Sequence, residues 1–92
     1  MNTFIDTLAQ VIQDRKEHPK TGSYTNVLIA DPPKAAQKVG EEATEVVVAA
    51  LAQTDDQLLD EASDLVYHLL VLLSTRDITW AQVMQRLESR HS

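Results

Sequence analysis

The residues best suited to chemistry in this chain are acids in pairs. Lys38-Val39-Gly40-Glu41-Glu42-Ala43-Thr44-Glu45 and Asp60-Glu61-Ala62-Ser63-Asp64-Leu65 each hold two carboxylates three positions apart, Glu42 with Glu45 and Glu61 with Asp64. That spacing is close to one helical turn, so each pair shares a helix face. The segments also align with each other. Val39, Glu42, Ala43, Glu45 and Val46 match Leu58, Glu61, Ala62, Asp64 and Leu65. In both, the acids border an apolar stripe, and antiparallel packing of the stripes brings the four carboxylates to one edge. Two like charges ~4 Å apart repel by about 4 kcal/mol at an effective dielectric of about 20. The acids must therefore stay apart in water, bind protons, or hold a cation. Oxygen donors without His or Cys suit Mg²⁺, Mn²⁺ or Ca²⁺. Acid pairs on a helix are also common as plain solvated faces, so spacing leaves both readings open.

The neighbours carry a similar double reading. Lys38 lies one turn before Glu42, as an ion pair worth about 0.3 kcal/mol or as an ammonium aimed at a phosphate. His68 lies one turn beyond Asp64. It is suited to supporting a ligating carboxylate, or to packing in a core or interface while bonded to backbone. Gly40 costs ~1 kcal/mol relative to alanine inside a helix, and its place opposite Glu42 predicts a close helix–helix approach. Arg15, Lys16 and Lys20 precede, and Lys34 and Lys38 follow, the hydroxyl-bearing segment Ser23-Tyr24-Thr25. Cations and hydroxyls so placed fit a polyphosphate ligand as well as an ordinary surface. Tyr67 reads as structural, and Trp80 with Met84 as core packing of a last helix.

The elements that position these groups are helices. Phe4, Ile5, Leu8, Val11 and Ile12 recur at helical spacing after Asn2 or Thr3 as cap, and the run ends before Pro19. Glu17 to Ser23, with Pro19 and Gly22, is the clear loop. Asp31-Pro32-Pro33 starts the next helix, with Val39, Ala43, Val46, Val47, Ala50 and Leu51 predicted inside. Thr54 or Asp55 starts another, with Leu58, Ala62, Leu65, Val66, Leu69, Leu72 and Leu73 inside, and Thr79 caps a last one. No segment alternates with period two. The expected architecture is all-α, a four- to five-helix chain whose bundle is completed by homo-oligomerisation. The oligomer is expected because Leu65–Leu73 is apolar nearly all round, whereas a small bundle buries one stripe per helix.

Composition narrows the classes of function. With 92 residues, one domain spanning 1–92 is expected. No cysteine is present, so a disulfide scaffold and a thiolate zinc site are excluded. A net charge of −6 argues against nucleic acid as a partner. No basic leader followed by an apolar run opens the chain, and no stretch approaches the ~20 apolar residues of a membrane span. A cytoplasmic protein with no membrane partner is expected.

Four stretches together resemble the phosphoribosyl-ATP diphosphatases of the all-α nucleotide pyrophosphatase superfamily, which also holds the MazG and dimeric dUTPase families. They are Gly22-Ser23-Tyr24-Thr25, Gln37–Glu45, Glu61–Leu73 and Leu87-Glu88-Ser89-Arg90. The chain departs from the family pattern at Asp31-Pro32-Pro33, where a Gly-containing turn is usual, and at Ser63, where alanine is usual. The resemblance implies hydrolysis of the α–β phosphoanhydride of phosphoribosyl-ATP to phosphoribosyl-AMP and pyrophosphate, an early step of histidine biosynthesis. It implies Mg²⁺, or Mn²⁺, as cofactor, held by Glu42, Glu45, Glu61 and Asp64. Glu42 also counts among the catalytic residues, with Glu41, which supports a ligand or orients the attacking water, and Lys38. The small-molecule nucleotide is then bound by Arg15, Lys16, Ser23, Tyr24, Thr25, Lys34, Lys38 and His68. The alternatives are a house-cleaning nucleoside triphosphate pyrophosphatase of the same superfamily and a non-enzymatic helical dimerisation module.

Overall fold

Thr3, Ser23, Asp31, Thr54 and Thr79 each stand at the start of a helix. In a computed structural model describing residues 3–92, the helices are α1 (Phe4–Glu17), α2 (Tyr24–Ile29), α3 (Pro32–Ala52), α4 (Asp55–Ser74) and α5 (Trp80–His91). There is no strand among the described residues, as the missing alternation predicts. Asn2, the other candidate cap of the first helix, lies outside the described residues.

The caps satisfy backbone N–H groups that helix starts leave bare. Thr54 Oγ1 accepts from the Gln57 N–H at 3.2 Å, and the Gln57 side chain accepts the Thr54 N–H at 3.0 Å. Thr79 and Gln82 form the same reciprocal pair. Asp31 accepts from the Lys34 N–H at 3.3 Å, with Pro32 and Pro33 in the first turn where their missing donors cost nothing. Gly22 turns the chain into α2 at φ +84°, a conformation open to glycine.

The α2 helix has only six residues, too short to show a periodic apolar pattern. It is fixed by packing: Leu28 is fully buried against Ile12, Ala35, Leu70 and Val71, the core of the molecule. The long helices α3 and α4, joined through Gln53-Thr54, run antiparallel and pack along each other. The α1 and α2 helices lie on α4, and α2 also touches α3. Lys16 of α1 donates to the Ser74 carbonyl at 2.6 Å and pairs with Asp77, whose φ is +58°. This clasp closes the C-terminal end of α4. No helix is long and apolar enough to cross a membrane among the described residues.

Several positions expected inside are not buried within one chain. Leu51 is 83% exposed, and Val47 and Met84 are exposed too. Nothing comes within 4 Å of a Cβ built on Gly40, so the expected close approach there is not made by this chain's own helices. Gly40, Val47 and Leu51 share one outer face of α3, opposite the face that packs on α4. The α5 helix buries no residue and makes little contact with other helices, although Trp80 at its start packs on the core.

Candidate cation and phosphate site

The antiparallel α3–α4 pair brings Glu42, Glu45 and Glu61 together. One ligand oxygen from each lies within 4.8 Å of the others. Glu42 comes from the face of α3 that carries buried Ala35 and Ala49, and it is only 6% exposed. One oxygen of Glu42 and one of Glu61 are buried with no hydrogen-bond partner. Burying an unpaired carboxylate oxygen costs free energy, and three acids this close repel. A divalent cation with oxygen preference answers both problems, so the donor set fits one.

Asp64, the fourth expected ligand, is exposed and outside the 4.8 Å group. It lies almost one turn further along α4, about 4.5 Å up the axis and ~60° round it from Glu61, and it stays exposed.

Lys38 is the counterion of the cluster. Its Nζ lies 3.3 Å from Glu41 and 3.5 Å from the second Glu42 oxygen. The hydrogen bond to Glu41 raises the Lys38 ammonium above its ordinary range against partial desolvation, with Tyr24, the Glu41 charge and Glu42 adding to it. Glu41 is held below the ordinary carboxylate range by hydrogen bonds from Gln37 first and Lys38 second. Lys34 is exposed one turn before Lys38, so two ammonium groups lead along α3 towards the acids.

The hydroxyl segment does not offer its groups as freely as its sequence implies. Ser23 caps α2, accepting from the Asn26 N–H at 3.2 Å. The Thr25 hydroxyl is bonded to the Tyr67 hydroxyl. Tyr24 is bonded to His68 Nε2 at 2.9 Å. His68 is buried, and its Nδ1 meets the backbone carbonyl of Asp64 at 2.7 Å, not a ligating carboxylate. Tyr24, Tyr67 and His68 form one aromatic cluster, the two tyrosine rings stacked at 6.4 Å.

Two cations stand apart. Lys16 is committed to Ser74 and Asp77, about 20 Å along α4 from Glu61 at 1.5 Å per residue. The structure therefore does not bring Lys16 to the acids of its own chain. Arg15 pairs with its neighbour Asp14 at 3.1 Å, while its carbonyl accepts from the Asn26 side chain at 2.7 Å. Asn26 also accepts the Lys20 N–H at 2.8 Å, stitching loop, α1 and α2 together. Sequence reasoning missed Asn26, since an isolated asparagine after a cap carries no spacing signal.

The fold and the site define a class: an all-helical protein whose carboxylates converge, oxygen-only, in the seam between two antiparallel helices beside a lysine. The model of the Phosphoribosyl-ATP pyrophosphohydrolase family matches residues 5–91. The chain belongs to that family. It is 43% identical over 91 residues to a phosphoribosyl-ATP pyrophosphatase of Ignicoccus hospitalis, covering 98% of this chain and 89% of the relative. It is 41% identical over 90 residues to that of Saccharolobus solfataricus, covering 97% and 96%. It also matches a histidine biosynthesis bifunctional protein of Haemophilus influenzae, 44% identical over 85 residues, with 91% of this chain but 38% of the relative covered.

Proposed function

We propose that this protein is a phosphoribosyl-ATP diphosphatase, with residues 1–92 acting as one catalytic domain. It cleaves the α–β phosphoanhydride of phosphoribosyl-ATP with water, giving phosphoribosyl-AMP and pyrophosphate, within histidine biosynthesis. One observation carries the reading at the level of chemistry: in a chain of this family, Glu42 and Glu61 each bury an oxygen that no protein group meets. On this reading the enzyme works in the cytoplasm.

Glu42, Glu45 and Glu61 would hold the divalent cation, Mg²⁺ or Mn²⁺, with Asp64 reaching in from the neighbouring turn. When bound, such a cation neutralises phosphate charge and lowers the pKa of the attacking water. The rest falls to the chain's own groups. Lys38 steadies the phosphates beside the acids, and Lys34, a further turn along α3, is placed for the separate phosphate of the phosphoribosyl group. Glu41, kept ionised by Gln37 and Lys38, accepts a hydrogen bond from the incoming water and orients it. Glu42 presents its unpartnered oxygen from a buried position, where a contact to a cation is screened less than in water.

We also propose that the bundle is completed by a second copy of the chain. The exposed apolar residues of α3, α4 and α5, Leu51, Leu59 and Leu87 among them, support this reading.

The experiment is pyrophosphate release, with and without Mg²⁺, from phosphoribosyl-ATP beside ATP, dUTP and dCTP. Mg²⁺-dependent release from phosphoribosyl-ATP is expected. Release from another nucleotide instead would move the protein to the house-cleaning class, and none from any substrate would overturn the enzymatic reading.

A further inference from the structure

The tautomer of His68 is fixed by its surroundings. A backbone carbonyl can only accept, so the Asp64 carbonyl at 2.7 Å requires a proton on Nδ1. In the neutral ring Nε2 is then bare and accepts. Its partner at 2.9 Å is the Tyr24 hydroxyl, which must donate. The hydroxyl proton of Tyr24 is thereby spent, and its oxygen keeps lone pairs to offer.

That polarity decides what Tyr24 can recognise. Phosphate oxygens are acceptors and gain nothing from an oxygen whose proton is taken. Lys38, a cation in electrostatic reach of Tyr24, is engaged by Glu41 and Glu42. Among the described residues, the Tyr24 hydroxyl has no hydrogen-bond partner besides His68, and the residue is 46% exposed. What remains is an acceptor on a half-exposed residue.

Its place along the site says which part of a ligand. His68 follows Glu61 by two turns on nearly the same stripe of α4, about 10 Å along the axis. Because α3 runs the other way, Lys38, one turn before Glu42, is level with that end of α4. The order is therefore carboxylates, then Lys38, then Tyr24 on His68. A chain of phosphates held at the acids and Lys38 has its uncharged portion at Tyr24.

We infer that Tyr24 is a specificity-determining residue that accepts a hydrogen bond from a donor on the nucleoside portion of the substrate. The donor is a ribose hydroxyl or an exocyclic nitrogen. His68 is the positioning residue that holds Tyr24 in acceptor polarity. The inference rests on the nucleotide reading above.

The test pairs Tyr24→Phe, which keeps the ring and its stacking on Tyr67, with substrate analogues. These are phosphoribosyl-ATP, its 2′-deoxy forms, and a form lacking the exocyclic nitrogen. For the wild type, one analogue is expected to raise KM about tenfold with kcat little changed. Tyr24→Phe is expected to raise KM for the parent by a similar factor and to be indifferent to that same analogue. The analogue that ceases to matter names the donor as sugar or base. A Tyr24→Phe protein with unchanged KM, or one weakened equally towards every compound, overturns the inference. Absence of turnover by the wild type with any compound overturns the functional reading instead. Nitrogen NMR of His68 tests the polarity without turnover: a bare Nε2 is expected, and a proton on Nε2 in the neutral ring overturns the inference.

Discussion

Lys38 stands 3.5 Å from one oxygen of Glu42, while the other oxygen of the same carboxylate is buried and meets nothing. The charge of Glu42 is thus only half answered by protein. Glu42→Gln removes one of three crowded like charges, so stability without metal should hold or rise by about 1 kcal/mol. Turnover with Mg²⁺ should fall by at least about 100-fold. Thermal unfolding and pyrophosphate release measure the two sides. Near-normal turnover at saturating Mg²⁺ would remove Glu42 from the mechanism.

Mg²⁺ should raise the melting temperature of the wild type. A ligand bound only by the folded state at 100 times its Kd stabilises by about 2.7 kcal/mol. The rise should be largely absent in Glu61→Gln, whose buried oxygen is no longer a carboxylate. An equal rise in both proteins would place the ion elsewhere.

Lys16→Met should act on stability and not on substrate affinity. It removes a charged donor from the Ser74 carbonyl and the partner of Asp77. The clasp is partly exposed, so a loss of about 1 kcal/mol is expected. A large increase in KM with an unchanged melting temperature would return Lys16 to the phosphates.

The Lys38–Glu41 pair makes stability depend on pH at both ends. Glu41 titrates below its ordinary value of 4.5 when folded, so its contribution is present above that value and is lost as pH falls through the lowered one. Lys38 titrates above its ordinary 10.5, so its contribution is present below 10.5 and is lost as pH rises through the raised one. Between these limits the pair adds no slope. Glu41→Gln should flatten the acid limb of a melting-temperature profile, and an unaltered limb would show that other acids govern it.

Leu51→Lys should change the mass in light scattering if α3 meets a second copy. The wild type is expected as a dimer or larger at micromolar concentration, the variant smaller. A wild-type mass of one chain would leave Leu51 and the apolar face of α5 without the proposed partner.

Most of the helical frame was legible because caps and prolines are local signals. Thr54, Thr79 and Asp31-Pro32-Pro33 start their helices where the sequence places them. The spacing of Glu42, Glu45 and Glu61 was legible for the same reason, since helical phase follows from residue number. What was not legible depends on contacts between distant segments. Tyr24 meets His68 across 44 positions and Lys16 meets Ser74 across 58, and neither pairing leaves a trace in local spacing. The exposure of Leu51 was hidden too, because periodicity reports that a face is apolar and not which chain covers it.

The reciprocal bonding of Thr54 with Gln57 acts as the zero mark of a dial. Each residue added after it turns the helix by ~100°. Glu61 reaches the α3 seam because the winding begins at Thr54 and nowhere else. A single residue inserted between Thr54 and Glu61 would leave the helix intact and its composition nearly unchanged, yet swing the carboxylate a quarter-turn past Glu42. The connection between α3 and α4 therefore keeps the timing of the acidic centre, although no residue in it touches a carboxylate.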